Sequence, residues 1–171
     1  MKDLERMIRD VPDFPKKGIV FKDITTLLKD AKALKKAIDR LAGHYRGRKI
    51  DKVVSMESRG FIFGTVLAYK LGCGFVPIRK KNKLPWKTYS VTYALEYGKD
   101  TLEIHRDGVR RGEKVLIVDD LLATGGTAKA VVDLIKRLKA KVAGCAFLIE
   151  LSFLPGRKKL RGCDIFSLIK Y

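Results

Sequence analysis

Apolar and polar positions change their period several times along the chain, and each change marks an element. Between residues 30 and 45, Ala31, Leu34, Ile38, Leu41, Ala42 and Tyr45 recur at helical spacing, with Asp30 where an N-cap belongs. That pattern predicts a helix over about 30–45. Val53-Val54-Ser55-Met56 is short and apolar and reads as a buried strand. Residues 60–71 return to a helical pattern, with Gly72 at the C-terminal stop. Phe75-Val76-Pro77-Ile78 is a second strand, placed near an edge because Pro77 cannot donate to a ladder. Residues 87–107 alternate and lack turn residues before Gly98, which predicts a hairpin or mobile arm. Val115-Leu116-Ile117-Val118 is the clearest buried strand. Gly125-Gly126 then opens a helix with Ala128, Val131, Leu134, Ile135 and Leu138 on one side, and residues 142–149 and 165–169 supply the last two strands.

Buried strands that alternate with amphipathic helices need cover on both faces. The expected fold class is therefore α/β, with a central, mostly parallel sheet flanked by helices. The chain has 171 residues and contains no internal repeat or Pro/Gly-rich linker, so one domain over 1–171 is the simplest reading. In sheets of this class ligands bind beyond the carboxyl ends of the strands. The segments just after the strands are therefore where chemistry is expected.

Composition changes this picture little. At 46% hydrophobic and 33% charged residues the chain suits a packed globule rather than a disordered segment. No apolar run reaches membrane-spanning length, and the acids in the first residues argue against a targeting segment. Cys73, Cys145 and Cys163 are odd in number and far apart, which suggests buried free thiols in a reducing cytoplasmic setting. The formal net charge of +18 points to anionic partners, either nucleic acid or phosphorylated metabolites. The cations are spread along the whole chain, so charge alone does not choose. Lysine abundance with one Asn, Asn82, and no Gln is also a thermophile tendency.

The strongest segment runs from Val115 to Thr127, with sequence Val-Leu-Ile-Val-Asp-Asp-Leu-Leu-Ala-Thr-Gly-Gly-Thr. A buried strand leads to two adjacent acids, Asp119 and Asp120, and then to a small-residue loop, Ala123, Thr124, Gly125, Gly126 and Thr127, at a helix start. Glycines let the backbone approach an anion, and the free N–H groups of a helix start point at it. The acids suit hydroxyls or a divalent cation rather than phosphate. A phosphate loop beside two diol acceptors describes a ribose 5-phosphate site. It is neither a P-loop nor a dinucleotide fingerprint.

These thirteen residues resemble the phosphoribosyl pyrophosphate (PRPP) motif of the type I phosphoribosyltransferases. The resemblance implies that Asp119 and Asp120 hold the ribose hydroxyls and that residues 123–127 hold the 5-phosphate. Four further segments are similar to the adenine-using branch of that family. Glu57-Ser58-Arg59-Gly60-Phe61-Ile62-Phe63-Gly64 implies that Arg59 meets pyrophosphate. Arg79-Lys80-Lys81-Asn82-Lys83-Leu84-Pro85 implies pyrophosphate binding by Arg79, Lys80 and Lys83, in a loop that lies at the dimer interface of related enzymes. Trp86 replaces the usual glycine there. Tyr93 to Gly98, followed by 100–105, resembles a mobile catalytic loop over about 87–107, with Glu96 as acid/base, Tyr97 beside the reaction centre and His105 structural. Residues 13–25 resemble a hood in which Phe21 stacks on the base and the main chain of Val20 and Lys22 reads its edge, with Leu151 on the other face. Lys17 stands where the family commonly has proline.

The implied architecture is the type I fold with a small hood from about 1–28 and 150–171. The implied activity is pentosyl transfer from PRPP to adenine, giving AMP and pyrophosphate, a glycosyltransferase step of purine salvage. Mg²⁺ is the implied cofactor, held mainly by PRPP and water. A cytoplasmic homodimer is expected, with neither membrane nor nucleic acid as a partner. Two other readings stay open from sequence: transfer to hypoxanthine or guanine, and a PRPP-sensing nucleic-acid regulator built on the same fold.

Overall fold

The computed structural model describes residues 2–94 and 98–171. The elements are α1 (Lys2–Glu5), β1 (Arg9–Val11), β2 (Phe21–Asp23), α2 (Thr25–Leu28), α3 (Ala31–Tyr45), β3 (Lys52–Met56), α4 (Arg59–Leu71), β4 (Gly74–Lys80) and β5 (Thr88–Ala94). They continue with β6 (Lys99–His105), β7 (Lys114–Leu122), α5 (Gly126–Arg137), β8 (Lys141–Glu150), α6 (Gly156–Lys159) and β9 (Ile165–Lys170). Seven strands form one sheet in the order β5-β6-β4-β3-β7-β8-β9, and β1 and β2 form a separate two-stranded sheet. The pairs β4–β3, β3–β7, β7–β8 and β8–β9 are parallel, whereas β6 runs antiparallel to both β4 and β5.

The period-two geometry of a strand explains the unbroken apolar runs. On β7, Leu116 and Val118 face a core shared with α3 and α4, while Val115 and Ile117 face a second core shared with α5. On β8, Ala146 and Leu148 join the first core and Cys145 and Phe147 the second. Both faces are dry, so both residue parities must be apolar.

The long helices begin and stop for local reasons. The Asp30 carboxylate accepts from the Ala33 amide at 2.8 Å and caps α3. The buried face of α3 is rotated from the sequence expectation: Ala33 and Ala37 are buried, Leu34 is half-buried and Ala31 is exposed. Small residues at 33 and 37 let the helix approach the sheet. Gly72 ends α4 in the left-handed region at φ 68°.

Two further sequence expectations change. Pro77 does not lie on an outermost strand, because β4 has β3 on one side and β6 on the other. The β4–β6 pairing, however, involves Arg79 and Lys80 only, so the proline sits where the second neighbour has not yet joined. The segment 150–171, expected to belong to the hood, is divided. Ile165–Lys170 is β9, at one edge of the main sheet, and Tyr171 donates its hydroxyl to the Glu5 carbonyl of the N-terminal segment at 3.4 Å.

The hood packs onto the main body rather than hanging from it. Leu4, Ile8, Ile24 and Leu27 belong to the same core as α3, α4 and the sheet. Within the segment 87–107, expected to be a hairpin or mobile arm, β5 and β6 pair antiparallel in register from Thr88↔His105 to Ala94↔Lys99. Among the described residues no helix is long and apolar enough to cross a membrane. The three cysteines are free thiols, of which only Cys145 is fully buried.

Candidate active site

The carboxyl ends of four adjacent parallel strands converge on one region. After β3 comes Glu57, after β4 the basic turn at 81–83, after β7 the loop at 123–125, and after β8 Leu151. This is where the parallel-sheet rule expects a ligand.

The acids and the loop after them are built differently from the sequence expectation in one respect. β7 does not end at Asp119 and Asp120 but continues in register with β8 through Leu122↔Glu150. The two acids are therefore held on a rigid strand. Asp119 Oδ1 accepts from the Asp120 amide at 2.9 Å, and α4 approaches so closely that a Cβ on Gly60 would lie 2.7 Å from Asp119 Oδ1. Burial pushes both carboxyls above their usual range, and the neighbouring Asp120 charge raises Asp119 further. Arg59, the first residue of α4, partly offsets this. Its Nε lies 2.9 Å from Asp120 Oδ2, and its guanidinium sits 5.0 Å from the centroid of the Phe21 ring. Glu57, two residues before it, is held by Arg79 instead.

Gly125 turns the loop into α5 with φ 77°. Residues 119 and 121–128 line a small pocket of about 100 Å³, a volume suited to a compact anion. The loop is backed by α6, which the sequence pattern does not announce. A Cβ on Gly125 would lie 2.7 Å from the Gly156 carbonyl oxygen, and a Cβ on Gly156 would lie 2.1 Å from that of Ala123. Only a residue without a side chain fits at that contact. The next residue, Arg157, is pinned by a two-pronged ion pair to buried Glu150, with Nε–Oε1 2.8 Å and Nη2–Oε2 2.6 Å. The arginine holds the Glu150 carboxyl down at about 2.

A second pocket, of about 590 Å³, joins this loop to the hood. Its walls include Ile19, Val20, Lys22, Ala123, Thr124 and Leu151. Three of the four residues expected at the base are thus together: Val20, Lys22 and Leu151. Phe21 is not part of the wall. It is half-buried beside it, with Phe14 edge-on at 5.2 Å. Lys22 cannot offer its charge freely, because Nζ is bound to Asp10 at 2.7 Å and lies 3.7 Å from the Tyr171 ring centroid. Asp10, Gly18, Phe153, Leu154 and Tyr171 complete the wall, and the last three were not foreseen, since they come from the far end of the chain.

The basic loop is less free than its sequence suggests. Arg79 donates twice to Glu57 Oε2, at 2.9 and 3.2 Å, and once to the Lys83 carbonyl at 2.9 Å. Burial opposes ionisation of Glu57, yet the Lys80 amide and the Arg79 guanidinium hold its carboxyl below the usual range. Lys80 Nζ lies 3.4 Å from Asp100 Oδ2, and Lys83 is exposed. The Asn82 amide is anchored to Glu103 on β6 at 3.1 Å. Arg79 can reach a ligand only by leaving Glu57, whereas Lys80 and Lys83 can turn toward one at little cost. Trp86 packs edge-on against His105, 6.3 Å between centroids, so the departure from glycine is absorbed at the base of the hairpin. Glu96 and Tyr97 lie outside the described residues. Among the described residues no group of three or more His, Cys, Asp or Glu is placed to hold a metal ion.

Comparison with known proteins agrees with this geometry. The phosphoribosyl transferase domain family matches residues 25–165. Adenine phosphoribosyltransferase of Geobacter metallireducens is 60% identical over 171 residues, covering the whole of both chains. The crystal structure of adenine phosphoribosyltransferase from Thermoanaerobacter pseudethanolicus superposes with a TM-score of 0.97 at 58% identity and covers 99% of each chain. That from Saccharomyces cerevisiae, complexed with an imino-altritol bisphosphate and adenine, gives 0.91 at 41% identity, over 98% of this chain and 97% of its own. Together with the two strand-borne acids, the glycine-backed loop at 123–127 and the hood, these matches show that the chain belongs to the adenine phosphoribosyltransferases, within the phosphoribosyl transferase family.

Proposed function

We propose that the chain transfers the 5-phosphoribosyl group from PRPP to adenine, releasing AMP and pyrophosphate. The observation that carries this is the shared wall of the larger pocket, where Gly18, Ile19, Val20 and Lys22 of the hood lie with Ala123 and Thr124 of the loop after β7. A base in the hood and a phosphate on the loop would lie on one ligand. The full-length relatives support adenine as that base.

Breaking the bond from ribose C1 to pyrophosphate leaves positive character on the sugar and negative charge on the leaving group. Arg59, Lys80 and Lys83 would stabilise the departing charge, with Arg79 joining on release from Glu57. Asp119 and Asp120 would accept the ribose hydroxyls. The hood would hold adenine N9 behind C1, so that orientation supplies much of the rate. Glu96 is the residue we assign to proton exchange with the purine, with Tyr97 beside it.

Mg²⁺ is the cofactor we infer. Asp120 is buried and Asp119 half-buried, with Arg59 beside them, so the donor set accommodates a cation but is too small for a full cage. The ion would neutralise pyrophosphate oxygens, with PRPP and water supplying most of its ligands. We also infer a homodimer. Ile62, Val66 and Tyr69 form an exposed apolar stripe along α4, and the 79–83 loop follows the adjacent strand. A cytoplasmic setting is in keeping with the three free thiols.

The test is to offer adenine, hypoxanthine and guanine in turn with PRPP and Mg²⁺. Adenine should give by far the highest kcat/KM. A higher value for either 6-oxopurine would overturn the assignment.

A further inference from the structure

We propose that Tyr93 is a positioning residue for the 5-phosphate, acting through Thr127 of the phosphate loop. It rests on β5, in the hairpin rather than in the loop itself. Thr127 Oγ1 donates to the Tyr93 hydroxyl at 3.3 Å. The hairpin lies close against the start of α5: a Cβ on Gly126 would sit 3.5 Å from the Ala94 carbonyl oxygen and 3.8 Å from Tyr93 Cδ2. At the other end of the same helix, Arg137 donates to the Ser90 carbonyl at 3.3 Å. Strand and helix are thus fastened near both ends of α5.

The chemistry follows from the proton count of two hydroxyls. Each has one proton to donate and lone pairs to accept. Without a phosphate, Thr127 spends its proton on Tyr93. With a phosphate in the loop, the Thr127 proton turns to the anion, and its oxygen is free to accept from Tyr93. The bond reverses and becomes a relay, Tyr93 O–H to Thr127 O–H to phosphate, in which each donor polarises the next. No proton changes owner. Burial raises the Tyr93 hydroxyl above the ordinary phenol range, which keeps it a donor. Tyr93 also lies three residues ahead of Glu96, so the relay ties an occupied phosphate loop to the segment carrying the assigned acid/base.

The inference depends on residues 123–127 being the phosphate loop, and the experiment separates the two. Ribose 5-phosphate and, separately, pyrophosphate with Mg²⁺ are titrated calorimetrically into wild type, Tyr93→Phe, Thr127→Val and the double variant. Tyr93→Phe keeps the ring and its packing. It should weaken ribose 5-phosphate about fivefold, the usual effect of one hydrogen bond, and leave pyrophosphate unchanged. In the Thr127→Val background it should add nothing, since the relay is already broken. If Thr127→Val weakens ribose 5-phosphate and Tyr93→Phe does not, the relay is wrong and the loop assignment stands. If Thr127→Val has no effect, the loop assignment fails and the relay with it. Equal weakening of both ligands by Tyr93→Phe would show a general distortion and also overturn the proposal.

Discussion

Asp119 and Asp120 are neighbours on one buried strand, and the fold resists charging them. Carboxyls raised in the folded state cost stability once the unfolded chain would ionise them, so this contribution worsens as pH rises from about 4 through the raised range. Ribose hydroxyls favour the ionised form, so ligand binding should release protons there. Asp119→Asn with Asp120→Asn should therefore raise the melting temperature of the free protein at neutral pH and weaken ribose 5-phosphate by at least tenfold. Calorimetry with and without ligand checks both. A double variant with unchanged ligand affinity would contradict the diol role. Gly156 behaves in the opposite way. A methyl group there meets the Ala123 carbonyl oxygen, so Gly156→Ala should cost about 1–3 kcal/mol of stability as the loop or α6 is displaced. Ribose 5-phosphate affinity should fall with it. The stability loss is measurable by denaturant titration.

Among the elements, the hairpin β5–β6 is the one from which chemistry is expected. Glu96→Gln should lower kcat by about 10²–10⁴-fold, the usual range for an acid/base group, with little change in PRPP affinity. Wild-type turnover would remove it from the mechanism. The elements also show what a sequence can and cannot announce. The three long helices and the buried strands were legible because burial against both faces of the sheet writes long apolar runs, whereas the four-residue α1, α2 and α6 were not. β1 was not, because Arg9-Asp10-Val11 is polar and gains its pairing only from β2, across an intervening loop. The end of β7 was expected at Asp119, since an acid normally marks the edge of a buried run, whereas here the strand continues through both acids to Leu122. The small-residue loop before α5, which we assign to the 5-phosphate, could be located from Thr124, Gly125, Gly126 and Thr127 alone. Its support by Gly156 could not, because a close approach between residues far apart in the chain leaves only a glycine at each end. Equally hidden was the attachment of Arg79 to Glu57, which converts one residue of an apparently free cation cluster into a strut.

For the whole molecule, assembly and charge are linked. In the homodimer we propose, cations gathered near the two-fold axis would repel one another until an anion joins them. Pyrophosphate or PRPP should then raise the melting temperature by binding only the folded state. If Lys83 serves the neighbouring subunit, mixing two inactive variants, Lys83→Ala and Asp119→Asn with Asp120→Asn, should restore part of the activity. A mixed dimer would hold one doubly defective site and one intact site. Subunit exchange without recovery would place the lysine in its own subunit's site.

The hood shares its interior with the main sheet, through Leu4, Ile8, Ile24 and Leu27. It is therefore a poor candidate for a hinged flap, and its amides should exchange with solvent only when the whole protein opens. This binds the evolution of base choice to thermal tolerance. A lineage that drifts toward a different base by reshaping residues 18–23 works on exposed and half-buried positions that lead directly into Ile24 of the principal core, so variants selected for new bases that disturb this anchor should emerge with lower melting temperatures and need compensating changes elsewhere.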